Sequence, residues 1–167
     1  MKMRIVSGFL LGSLIAAPAV AAQLPARTAG MWQSTTSVMG PDGKPLQGAG
    51  TVVTVSCVDA LNDQAFFTPG KSACSSLAIT GSGNSYSIDG VCTGQGHQVN
   101  IHETLVYAGP QALQLTAVYN SASGQMTVQS QLAWQGVCEP GMRPGDEGSL
   151  IAGVFTKTDN INDSNNQ

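Results

Sequence analysis

Charge is what this chain has least of. Seven Lys and Arg stand against ten Asp and Glu in 167 residues, for a net charge of −3. Such a balance leaves no basic patch for nucleic acid or for an anionic membrane surface. Histidine is nearly absent, with only His97 and His102 available for imidazole chemistry. Five residues apart on a strand, the two point to opposite faces, which argues against a shared metal or a catalytic pair. No Gly-x-Ser-x-Gly elbow occurs, so a serine nucleophile of that type is excluded. The glycine-rich steps at 81–84 and 94–97 precede no helical pattern; they are turns, not phosphate cradles. The methionines of the mature chain are scattered, which does not make a copper-binding stripe. No cofactor or metal is expected.

Long apolar runs are missing too, except at the start. Residues 1–22 hold Lys2 and Arg4, then an apolar stretch from Ile5 to Ala16, then the small-residue zone Pro18 to Ala22. This order is that of a cleavable secretory signal peptide. Its apolar part falls short of the roughly 20 residues that span a bilayer. Residues 23–158 are expected to form one exported domain in the periplasm, a monomer with no membrane span, followed by a disordered polar tail at 159–167.

What is present is cysteine in even number: Cys57, Cys74, Cys92 and Cys138. In an exported domain this implies two disulfides. Two short β-like runs flank a Gly-Ser-Gly-Asn turn between Cys74 and Cys92. Folding that hairpin about Gly83 sets Cys74 opposite Cys92, and Cys57 then pairs with Cys138 by elimination. The paired CxxC spacing of a four-thiolate zinc site is absent.

Alternation of apolar and polar residues marks the strands. Met31 to Met39 and 50–58 read as neighbouring antiparallel strands. Asp59 to Gly70 is the one credible helix, with Asp59 as N-cap, Leu61, Ala65 and Phe66 on one face, and Pro69-Gly70 as its end. After the cysteine hairpin, 98–109, 111–120 and 126–138 alternate in register. About seven strands are expected, in an antiparallel meander curled into a barrel or half-barrel.

Inward positions of these strands supply the candidate ligand-binding residues: Trp134, Tyr107 and Tyr119 as apolar anchors, and Glu103. Glu103 alternates with Val99, Ile101 and Leu105, and a carboxylate on an apolar face can bind a polar ligand group or act as a base with a raised pKa. No catalytic set can be assembled from Glu103 or His102 with their neighbours. The expected function is therefore non-enzymatic: a small apolar or amphipathic ligand held by a curled sheet. The alternative is an envelope protein as partner, docked on exposed strand edges or on the Gly40 to Gly50 loop.

Gly30-Met31-Trp32, the four cysteines in this order, the glycine-turned hairpins between them, Cys92-Thr93-Gly94 and Gly136-Val137-Cys138 together resemble an exported bacterial family, domain of unknown function 3617, over roughly Ala29 to Cys138. That resemblance implies a periplasmic β-domain and carries over no catalytic residue. Gly30-x-Trp32 is also similar to the lipocalin opening, which implies a tryptophan closing one end of a barrel.

Overall fold

A computed structural model describes residues 22–163 except 47, 49, 69–72 and 95. The expected signal peptide lies almost wholly outside the described residues. The strands are β1 (Gly30–Met39), β2 (Val52–Val58), β3 (Cys74–Ser82), β4 (Ser85–Gly94), β5 (His97–Tyr107), β6 (Ala112–Ser121), β7 (Gly124–Gly136), β8 (Asp146–Ile151) and β9 (Val154–Asn160). All pairings are antiparallel, in the single sheet order β3-β4-β5-β6-β7-β1-β2-β8-β9.

Nine strands replace the expected seven, and the sheet is not closed. Outer strands β3 and β9 do not pair with each other, so neither a closed barrel nor the lipocalin likeness holds. The sheet nevertheless curls. Leu115 of β6 and Glu147 of β8 lie four places apart in the strand order, about 19 Å at the usual spacing of strands. Both line one cavity of about 270 Å³, which a flat sheet would not allow.

The extra pair comes from β8 and β9, where sparse apolar residues hid an alternation. β9 continues through Asn160, only 5% exposed, whose Nδ2 donates to Asp146 Oδ1 at 2.7 Å. Asp159 and Asn160, expected in the polar tail, are therefore strand residues; residues 164–167 of that tail lie outside the described residues. Ile151 and Val154, at the tip of this hairpin, are exposed, while Leu150 and Phe155 are half-buried.

The expected two-turn helix is only a 3-10 turn at Asp63–Phe66. Asp59 still caps locally, its Oδ1 accepting from Leu61 N at 2.9 Å and Asn62 N at 3.0 Å. Leu61, assigned to the buried face, is 96% exposed. Four residues suffice because the segment has one task, to lay Phe66 and Phe67 over the concave face of the sheet. Phe67 is buried there with Trp32, Val58, Ile88, Leu105, Tyr107 and Leu113.

Arg27 completes this end of the molecule. Its Nε donates to Asp63 Oδ1 at 2.6 Å and its backbone N to Asp63 Oδ2 at 2.8 Å. The guanidinium lies 4.5 Å from the Phe67 ring centroid and 5.0 Å from that of Trp32. Burial presses it below the usual arginine range, and Asp63 opposes that pressure. A charge so enclosed is tolerated because its donors and its ring contacts are satisfied together.

Both disulfides form as read from the sequence, Cys74 with Cys92 across the β3–β4 hairpin and Cys57 with Cys138 across 81 residues. No helix among the described residues is long and apolar enough to cross a membrane.

Candidate functional site

Cross-strand register sorts the concave face into rows, because directly opposed residues share a face. One row runs Gly90, Ile101, Tyr119, Met126 from β4 to β7. The next holds Ile88, Glu103, Ala117, Val128 and Val38, and the third Tyr86, Leu105, Leu115, Ser130, Thr36 and Val52. Glu103 thus sits in the middle row, with Ile88 and Ala117, both fully buried, on either side.

Two cavities flank that row. The first, about 430 Å³, opens at the end marked by the β1–β2 loop, where Pro41 and Leu46 face Val99, Tyr119 and Met126, with His97 at its rim. Its walls are largely aliphatic. The second, of about 270 Å³, runs under Phe66 and Phe67 and has one wall of hydroxyls: Ser34, Thr36, Thr54, Ser56 and Ser130, with Glu147 at its edge. These hydroxyls are organised, Thr36 Oγ1 lying 2.8 Å from Ser130 Oγ and 3.1 Å from Ser34 Oγ. The concave trough thus carries an aliphatic cavity at one end and a separate hydroxyl-walled cavity at the other.

Glu103 is 6% exposed. Its Oε1 receives only a long contact from Tyr119 Oη at 3.5 Å, and its Oε2 has no hydrogen-bond partner. Burial pushes the carboxyl up to about 7 against the weaker pull of Tyr119. Burial, and then the neighbouring Glu103, push the Tyr119 hydroxyl up to about 12. Burial likewise raises Glu147, assisted by Asp159 and opposed by Arg27. A buried carboxyl oxygen without a donor is rare in folded proteins, and this one lies beside Tyr119, which also lines the aliphatic cavity.

The four residues expected to bind ligand divide into two pairs. Glu103 and Tyr119 contact each other, and Tyr119 lines the aliphatic cavity. Tyr107 and Trp134 belong to the opposite, packed end: Tyr107 contacts Tyr86 edge-on, with ring centroids 6.0 Å apart, and Trp134 Nε1 donates to Ala29 O at 3.0 Å. Alternation assigned their face correctly. His102 faces outward and meets Asp89 across the strands, Nδ1 to Oδ1 at 2.7 Å; both are well exposed. His97 is exposed and reaches the rim of the aliphatic cavity. The hydroxyl wall was not foreseen, since inward Ser and Thr carry no hydrophobic signal. Among the described residues no three His, Cys, Asp or Glu side chains gather as metal ligands.

A family model described as protein of unknown function (DUF3617) matches residues 27–138, from the buried arginine to the second cysteine of the long-range bridge. No curated protein matches the chain.

Proposed function

The chain belongs to the DUF3617 family, whose description assigns no activity, so its role must be argued from its own geometry; we propose that it is an exported, non-enzymatic periplasmic protein that holds a small amphipathic molecule in the concave trough. The observation that carries this reading is Glu103, buried with an unpartnered carboxyl oxygen beside Tyr119, which lines the aliphatic cavity. Cavities of this combined size suit a small molecule, and the two kinds of wall suit the two ends of an amphiphile. Export is supported by the leader-like residues 1–22 and by two disulfides, which persist in oxidising compartments.

Native mass spectrometry of protein purified under mild conditions tests the proposal. A bound small molecule is expected, and Met126→Trp, which fills the aliphatic cavity, should release it while leaving the melting temperature within a few degrees. An empty wild-type protein that also fails to take up any added amphiphile would overturn the reading.

A further inference from the structure

Among the described residues, the trough has carboxyls but no cation to spare. Glu147 edges the hydroxyl-lined cavity, and Glu103 lies behind Tyr119, which lines the aliphatic one. Arg27, the nearest guanidinium at the packed end, is already bound by Asp63 and covered by aromatic rings. Lys44, on the loop that contributes Pro41 and Leu46, is four-fifths exposed and lies 3.9 Å from Asp42. A carboxylate or phosphate headgroup entering the trough would therefore meet carboxyls without a counter-charge, in a setting that magnifies repulsion. A neutral headgroup could give Glu103 Oε2 the donor it lacks. An ammonium gives the donor and the charge together, and hydrogen bonds between ionised groups are the stronger kind.

We propose that the ligand is a cationic amphiphile, an aliphatic or aromatic amine whose ammonium passes the Tyr119 ring to pair with Glu103 while its apolar body lies against Val99, Leu46 and Met126. This rests on the trough being a ligand site and adds the charge of what it takes. Glu103 is the receptor for the charge. The other titratable groups facing it or the cavity are Tyr119 from β6 and His97 at the rim, while Ile88 and Ala117 flank it from the neighbouring strands with no charge of their own. An amine that binds only the ionised carboxyl must bind more tightly as pH rises and must expel the proton that Glu103 holds below about 7.

Isothermal titration with octylamine, octanol and octanoate at pH 5.5 and 7.5 tests this. Octylamine should bind most tightly, its affinity rising roughly twentyfold between the two values, with a proton released to buffer near neutral pH. In Glu103→Gln that rise should vanish and the preference for the amine over the alcohol should fall at least tenfold. Should Glu103→Gln fail to fold, proton release by the wild type still decides the matter. Binding of none of the three would remove the trough as a ligand site. Octanol or octanoate bound as tightly as the amine, or a flat pH profile for the amine, would leave the site standing and overturn its preference for a cation.

Discussion

Glu103 is a residue the fold holds at a disadvantage. Its strand needs an inward side chain between Ile101 and Leu105, and an apolar one would pack between Ile88 and Ala117 without a desolvated carboxyl. The sign of its effect on stability follows from burial. The folded chain holds the Glu103 proton up to a pH of about 7, while the unfolded chain releases it near the ordinary value of 4.5. Its contribution is thus most favourable below about pH 4.5 and is lost as pH rises through about 7. Glu103→Gln should be more stable than wild type above pH 7.5, by at most about 3 kcal/mol, and should show a flatter melting profile between pH 5 and 8. A variant less stable than wild type at pH 8 would mean that the carboxylate is satisfied in the fold. The residue was legible in sequence because alternation alone places it among inward apolar neighbours. The hydroxyl wall was not, because Ser34, Thr36 and Ser130 give no apolar signal on the inward side that they share.

The β8–β9 hairpin shows how an element with little apolar surface is held. Asp146 is 1% exposed. Burial pushes its carboxyl up, but hydrogen bonds from Asn160 Nδ2, Lys157 Nζ and Arg143 N outweigh this and hold it down to about 2. Gly145 adds to the fixation by donating its backbone N–H to Cys57 O at 2.8 Å, which ties the approach to β8 onto β2. Asp146→Asn keeps the shape and removes the charge, and should lower stability at pH 7 by about 1–3 kcal/mol. In wild type this contribution is complete above about pH 3.8 and disappears as pH falls through about 2; the variant should lack that part of the acid transition in a denaturation series. Such an element escapes sequence reading because polar contacts, not an apolar stripe, define it. Leu150 and Phe155 pair across it, while Ile151 and Val154 at its tip remain exposed. The 3-10 turn at Asp63–Phe66 errs the other way, since spacing of Leu61, Ala65 and Phe66 fits a helix, yet the Arg27–Asp63 contacts fix only a single short turn.

At the scale of the whole molecule an open sheet must keep its curl without the closure that a barrel provides. Two devices meet that need. Phe66 and Phe67 cover the concave face from one side, and the Cys57–Cys138 bridge joins β2 to the chain just past β7, across strand β1, which lies between them. The bridge closes a loop of 81 residues, for which chain entropy gives a contribution of roughly 4–5 kcal/mol, against about 3 for the 18-residue loop of Cys74–Cys92. Their structural reach differs more than these energies do. Cys74–Cys92 joins the edge strand β3 to β4, a pair already held along the hairpin by strand pairing, with one register shift between Cys74 and Ser76. Cys57→Ala with Cys138→Ala should therefore lower stability by several kcal/mol and raise hydrogen exchange in β1, β2, β7 and β8 together. Cys74→Ala with Cys92→Ala should confine increased exchange to β3 and β4. The trough should respond in the same order: its hydroxyl wall is built by β1, β2 and β7, so loss of the long bridge should weaken amphiphile binding, while loss of the hairpin bridge should leave it close to wild type. Equal exchange patterns in the two variants would show that the sheet keeps its curl by strand pairing alone.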